Sequence, residues 1–207
     1  MANDIYYDKC IEIISSLKGK KTLLLHACCG PCSVFPLLYL TPYFDITIYY
    51  NNSNIFPASE YDLRLNELKE LLVKIKNDYN VTINLIETPY DYDTYFKDLE
   101  TLKDEPECGK RCKICYEKRM FEAYKYADEH GFDYFTTVMT ISRQKSSIVM
   151  NEIGEKLQSQ FTTKYLYSDF KKKGGLLIAK KAQNHYGLYQ QLYCGCEPSM
   201  KRLTKEK

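Results

Sequence analysis

Seven of the nine cysteines fall in three short motifs. Cys28, Cys29 and Cys32 lie in LHACCGPCS, Cys112 and Cys115 in RCKIC, and Cys194 and Cys196 in YCGC. Residues three apart on a helix share a face, with Cβ atoms about 5–6 Å apart. Cys112 and Cys115 therefore present two thiolates together, close to a helix N-terminus whose partial positive charge favours anions. The five thiols of the first two motifs suffice for an iron–sulfur cluster, which takes about four thiolates, and equally for a tetrahedral zinc site. Adjacent cysteines are awkward for a zinc knuckle, whose ligands normally stand two to four residues apart. Gly30-Pro31 supplies the sharp turn that would aim Cys28 and Cys29 at one centre, and the pair could also serve neighbouring metal atoms. A metal-free redox dithiol is the remaining chemical reading. Small buried residues would account for one free cysteine, but poorly for five in C-C-x-x-C plus C-x-x-C. The C-x-C of Cys194 and Cys196 reads as a redox pair, as further ligands, or as structure. Cys10 reads as a core residue of an N-terminal helix, and Cys108 as an accessory neighbour of Cys112 left outside the site.

Around these motifs stand other groups that can do chemistry. His26 precedes the first motif, as a proton donor, a ligand-orienting group or a satisfied strand-end histidine. Asn51, Asn54, Glu60, Tyr61 and Arg64 form a block in which Glu60 and Arg64, one helical turn apart, can simply pair. Arg111 and Arg119 flank RCKIC and can meet phosphate or balance a negatively charged cluster. Arg143 and Lys145 are candidate phosphate contacts. Lys171, Lys172 and Lys173 form a basic run, and Lys201, Arg202, Lys205 and Lys207 a basic tail. Such runs are usually solvated faces.

These residues need elements to position them. KTLLLHA (21–27) reads as a buried strand, followed by the Gly30-Pro31 breaker and a helix beginning near Cys32 or Ser33. FDITIYYNN (44–52) reads as a second strand, VTINLIE (81–87) as a third and FDYFTTVMT (132–140) as a fourth. Leu63, Leu65, Leu68, Leu71, Leu72 and Ile75 recur at helical spacing between Ala58 and about Asn77. CKICYEKRMFEAYKYADEH and SSIVMNEIGEKLQ read as helices, with a further strand at TKYLYSDF and a last helix near 177–190. Strands alternating with helices predict an α/β fold with a mainly parallel sheet, in which ligands bind beyond the carboxyl ends of the strands. LHACCGPCS, NNSNIFP and MTISRQK each follow a strand, so three reactive loops converge on one edge.

The totals fit this picture. A chain of 207 residues reads as a single α/β domain that does not need disulfide staples, and an odd cysteine count cannot pair completely within one chain. No signal peptide or membrane-length apolar run is visible, which predicts a cytoplasmic protein whose thiols stay reduced. The formal charge of +2 says little about polyanionic partners.

LHACCGPCS, YYNNSNIFPASEYDLR, EPECGKRCKICYEKRMFEAYKYA, TTVMTISRQK and YQQLYCGCEPS occur in the order found in epoxyqueuosine reductases of the QueH type, which the chain resembles from about residue 21 to 199. The resemblance implies a Rossmann-like domain related to adenine-nucleotide α-hydrolases, with flanking helices and a helical elaboration. It implies a 4Fe-4S iron–sulfur cluster with an additional iron ion nearby, and removal of the epoxide oxygen from epoxyqueuosine at the tRNA wobble position. Residue by residue, Cys28, Cys29 and Cys32 match the family's first cysteine motif and Cys112 and Cys115 its R-C-x-x-C. This makes Cys28, Cys29, Cys112 and Cys115 candidate cofactor ligands and Cys28, Cys29, Cys32, Cys112 and Cys115 candidate metal ligands, with their division between cluster and extra iron left open. Cys194, Cys196 and His26 are the catalytic candidates, with the thiol pair able to hold reducing equivalents as a disulfide. Asn51, Asn54, Glu60, Arg64, Arg111, Arg119, Arg143 and Lys145 are the candidates for substrate contact. An external electron donor is implied and no membrane. A non-catalytic zinc-binding RNA module and a metal-free thiol–disulfide or sulfur-transfer enzyme remain as alternatives.

Overall fold

In the computed structural model, residues 4–205 are described, the last two as backbone only, so the side chains of Lys205 and Lys207 in the basic tail lie outside it. The chain runs α1 (Ile5–Ser16), β1 (Lys21–His26), α2 (Gly30–Leu40), β2 (Phe44–Tyr50), α3 (Ala58–Tyr79), β3 (Asn84–Glu87) and α4 (Tyr92–Lys97). It continues through α5 (Lys110–Glu129), β4 (Tyr134–Thr137), α6 (Ser147–Gln158), β5 (Lys164–Tyr165), α7 (Gly175–His185) and α8 (Glu197–Lys205). The five strands form one sheet in the order β3-β2-β1-β4-β5, and every pairing is parallel. This is the Rossmann-like α/β architecture expected from the alternating pattern.

Strand periodicity explains the two layers. Leu23 and Leu25 of β1 enter one apolar cluster with residues of α2, α3 and α7, while Leu24 enters a second cluster with residues of α5 and α6. All three leucines are fully buried, as a parallel strand covered by helices on both faces requires. The strand order reverses between β1 and β4, so the loops leaving these two strands diverge and open a crevice at their carboxyl ends.

Several boundaries differ from the sequence reading. The helix after β1 begins at Gly30, not at Cys32 or Ser33. Pro31 lies in the first turn, where its missing N–H has no helical partner to lose, so Gly30-Pro31 starts the helix instead of holding it off. The strand expected over 132–140 stops at Thr137, whose Oγ1 accepts from Met139 N at 3.1 Å and turns the chain into a 3-10 turn, Val138–Ile141. The strand expected at TKYLYSDF is only Lys164–Tyr165. Ser168 N donates instead to Asn151 Oδ1 at 3.0 Å, drawing that segment off the ladder toward α6. The helix expected near 177–190 ends at His185, and the left-handed Gly187 (φ +63°) turns the chain away from the helix axis. Helices α4 and α8 had no clear sequence signal; α4 rests on its cap, with Asp91 Oδ1 accepting from Thr94 N at 3.0 Å.

Candidate metal centre

Cys29 is the extended residue that caps α2, and Cys28 precedes it, so both thiols lie at the helix N-terminus with Cys32 in the first turn. Ser33 Oγ donates to Cys29 O at 2.7 Å and holds this turn closed. A Cβ on Gly30 would lie 3.2 Å from Glu67 Oε2, which is the close approach that glycine permits here. The three Sγ atoms lie within 4.8 Å of one another, with Cys28 and Cys29 at 3.8 Å. Hydrogen bonds from Cys29 and Cys32 hold Cys28 well below the ordinary thiol value. Burial pushes Cys29 up to about 12, and the hydrogen bond that Cys32 gives to Cys28 pushes Cys32 up. Three sulfurs this close share their protons in hydrogen bonds, and a bound cation would displace those protons.

The other motifs form a second group. Cys112 and Cys115, on α5, line a small cavity together with Cys194 and Cys196. Tyr95 donates its hydroxyl to Cys115 Sγ at 3.2 Å. Burial raises Cys115 and pushes Cys196 up to about 12. Cys194 also lines a separate cavity of 430 Å³ with Cys28 and Cys32, so it stands where the two groups meet. The structure therefore gathers seven thiols in two neighbouring groups, with Cys112 and Cys115 beside the terminal pair. All nine cysteines are free, and Cys194 and Cys196 are thiols.

Buried cations lie between the groups. Burial alone would lower Arg119 and Lys145, but the surrounding sulfurs outweigh it, and both are raised. For Arg119 these are Cys115 and then Cys28; for Lys145 they are Cys194, Cys28 and Cys32. Arg119 donates to Asn52 Oδ1 at 2.5 Å, and its Nε is buried without a partner among the described residues. His26, fully buried, holds Thr137 Oγ1 at 2.8 Å through Nδ1, while Nε2 has no described partner. Burial, then the charge of Arg119, keeps this imidazole neutral.

The segment 188–196 closes over the thiols. Arg64, with only 1% of its side chain exposed, pairs with Glu60 at 2.7 Å and donates to the carbonyls of Cys194 and Tyr193 at 3.1 and 3.2 Å. Phe56 N donates to Gly195 O at 2.8 Å, and Tyr193 donates its hydroxyl to Phe56 O. Gln191 Nε2 lies 2.7 Å from Cys29 Sγ. Sequence reasoning singled out the cysteines of YQQLYCGC and missed Gln191, as it missed Tyr95 and Thr137. No motif or spacing marks them, and only the fold brings Gln191 and Tyr95 to the sulfurs and Thr137 to His26.

The remaining candidates separate by exposure. Arg111 directs Nη1 at the carbonyls of Leu102, Lys103 and Glu105 (2.7–3.4 Å), while its Nη2 is buried without a described partner beside the second thiol cavity. Asn51 donates to Arg119 O at 3.0 Å, and Asn54 lines the second thiol cavity. Arg143 is exposed and lines the larger cavity with Lys145. Cys10 is buried in the core, as its position on α1 predicts, and Cys108 is exposed, donating to Gln144 O at 2.8 Å. Lys172 and Lys173 pair with Asp4 at 2.9 and 3.3 Å, and Lys171 with Asp169 at 3.5 Å.

The sequence profile of the family described as Epoxyqueuosine reductase QueH matches residues 23–202. The chain is 37% identical over 196 residues to the Epoxyqueuosine reductase QueH of Streptococcus pyogenes serotype M1, covering 93% of this chain and 77% of that protein. It is 39% identical to the protein of that name from Staphylococcus epidermidis, covering 93% and 83%. The corresponding protein of Thermotoga maritima is 26% identical, covering 84% and 88%.

Proposed function

The chain belongs to the epoxyqueuosine reductase family QueH, and from that premise we propose how its two thiol groups serve the reduction on tRNA. It is an oxidoreductase. Epoxyqueuosine at the wobble position loses its epoxide oxygen: both C–O bonds of the ring break, a carbon–carbon double bond forms, and the oxygen leaves as water. The balance is two electrons and two protons per queuosine. We read the setting of this chemistry as the cytoplasm, from the tRNA substrate; no helix among the described residues is long and apolar enough to cross a membrane.

One observation carries the reading. Two groups of buried and half-buried thiols meet at Cys194, which lines a cavity together with a buried lysine, Lys145. The donor set fits a metal group. Cys28, Cys29 and Cys32 offer three converging sulfurs, and Cys112 and Cys115 line the adjoining cavity, leaving Cys194 and Cys196 beside them as a separate pair. Arg119 and Arg111 each bring a buried nitrogen with no described partner, the counter-charge that several thiolates in a low-dielectric site require. On this reading the thiols hold a 4Fe-4S cluster and a further iron ion, which supply electrons one at a time and a Lewis acid for the departing oxygen.

The chain's own residues do the rest. Lys145, buried in the lining of the cavity with Cys28, Cys32 and Cys194 and held charged beside those sulfurs, puts positive charge where negative charge develops on the leaving oxygen. Arg64 fixes Cys194 through its carbonyl. Neutral His26 holds Thr137 and thereby the start of the turn that leads to Lys145. Cys194 and Cys196 are placed to hold reducing equivalents as a thiol pair, replenished by an external electron donor.

The test is anaerobic incubation with a chemical reductant and RNA carrying epoxyqueuosine, read by mass spectrometry of the nucleosides. Queuosine formed in proportion to enzyme supports the reading. RNA left unchanged by protein that carries its full metal content overturns it.

A further inference from the structure

The 430 Å³ cavity over the thiols has an uneven lining. Four cations reach it, Arg64, Arg143, Lys145 and Lys180, and among the described residues that line it there is no aspartate or glutamate. The chain as a whole carries 29 basic and 27 acidic residues, so this one-sided lining is local and not a reflection of composition. Two of the cations belong to the interior: Arg64 is paired with Glu60 and Lys145 faces the sulfurs. The other two belong to the mouth. Arg143, in the loop after β4, and Lys180, on α7, are both exposed, and neither has an ion pair among the described residues. The same cavity is lined by Leu192, which is 73% exposed and the most exposed of the large apolar residues described. It sits on the segment that Arg64 clamps over the thiols, so it is held at the rim rather than swinging free.

Phosphodiesters and bases ask for different things. A single-stranded RNA loop presents charged backbone to cations and unstacked base faces to apolar or aromatic side chains. We propose that this mouth is the docking surface for a single-stranded RNA loop, with its backbone on Arg143 and Lys180 and the base next to the reacting nucleotide packed on Leu192. The proposal rests on the reading of the chain as a tRNA-modifying reductase and specifies which residues hold the RNA. The two walls then have separable signatures. Each phosphate contact releases counterions and steepens the salt dependence of binding, by about 0.7 in the slope of log affinity against log salt for a single strand. An apolar contact with a base does not.

The experiment measures binding of an unmodified anticodon stem-loop RNA to the full chain between low and moderate salt. The variants are Arg143→Gln, Lys180→Gln, Leu192→Ser, and Lys20→Gln just before β1 at the opposite end of the sheet. Arg143→Gln and Lys180→Gln are each expected to reduce the slope by about 0.7. Leu192→Ser is expected to weaken binding roughly three- to tenfold at every salt concentration with an unchanged slope, the loss of one base contact. Lys20→Gln is expected to match the parent chain. Wild-type slopes in both Arg143→Gln and Lys180→Gln, or a slope change in Leu192→Ser equal to theirs, would overturn the docking mode while leaving the reductase reading intact. Failure of the parent chain to bind the RNA at all would likewise overturn the docking surface, while the reductase reading stands or falls on the turnover of RNA carrying epoxyqueuosine. Circular dichroism of each variant confirms that it is folded, so that a loss of binding is read as a loss of contact.

Discussion

Arg64 Nη1 donates to the carbonyl oxygen of Cys194 at 3.1 Å, joining α3 to a residue 130 positions later in the chain. The same guanidinium pairs with buried Glu60 at 2.7 Å. The contact links a helix of the first half to the sulfur at which both thiol groups meet.

Breaking a buried pair from one side leaves an uncompensated charge, at a cost of about 3–5 kcal/mol. Arg64→Met should lower stability by that order in urea unfolding. The Glu60→Met/Arg64→Met double variant should recover most of it, because both charges are then removed. Activity should stay low in the double variant, since nothing holds the carbonyls of Tyr193 and Cys194. Full activity in the double variant would mean that the clamp is only a stability device.

Lys145 lines the cavity with Cys28, Cys32 and Cys194. Lys145→Met should lower turnover by about 10²–10³-fold, the usual contribution of one positioned group at a developing oxyanion, while iron content and RNA affinity change little. Lys145→Arg should keep the charge and regain only part of the rate, because a guanidinium presents that charge in a different geometry from an ammonium. The check is turnover alongside iron analysis on the same preparations. Loss of iron in parallel with activity would make Lys145 a counter-charge to the thiols and not a stabiliser of the leaving oxygen.

Cys10 and Cys108 separate thiol number from thiol placement. Cys10 is buried among apolar residues of α1, where burial pushes its thiol up to about 12, and Cys108 is exposed. Cys10→Ala should cost about 1 kcal/mol, and both Cys10→Ala and Cys108→Ala should keep full iron content and activity. Cys28→Ala should lose both. Iron loss in Cys108→Ala would bring that residue into the centre.

The start of β1 is tied to the loop before β4. Thr22 donates its N–H and hydroxyl to Asp133 Oδ2 at 2.9 and 3.0 Å. The backbone N–H of Thr22 holds the Asp133 carboxyl below its ordinary value. A carboxyl lowered in the folded state stabilises above its unfolded pKa, about 3.9, and that contribution is lost as pH falls through the folded value. Asp133→Asn should therefore lower the melting temperature at pH 7 more than at pH 3, with the difference closing below about pH 4. An equal loss at both pH values would make the contact one of geometry alone.

The sheet was legible because β1 and β2 carry buried aliphatic and aromatic runs that only a covered strand accommodates. What escaped was decided by side chains acting on backbone. Thr137 turns β4 into a 3-10 turn, and Asn151 draws the segment after β5 toward α6. Gly30-Pro31 looked like a break yet forms the first turn of α2. The same holds for the site. The thiols were evident from their spacing, and the Glu60–Arg64 pair from its one-turn separation. That Cys112 and Cys115 line a cavity with Cys194 and Cys196 is a long-range contact that no local spacing encodes. Nor could spacing reveal that the mouth of the larger cavity is basic, because Arg143 and Lys180 come from different elements.

The central claim is that the thiol-held centre delivers the electrons that remove the epoxide oxygen. It is tested most directly in a single turnover: the protein is reduced anaerobically, freed of reductant, and mixed with RNA carrying epoxyqueuosine. Absorbance of the centre and queuosine are then followed together. The account predicts that the centre reoxidises as product appears, with one queuosine formed for every two electrons lost. Queuosine appearing with no change in the centre, or a centre that reoxidises without product, would contradict it.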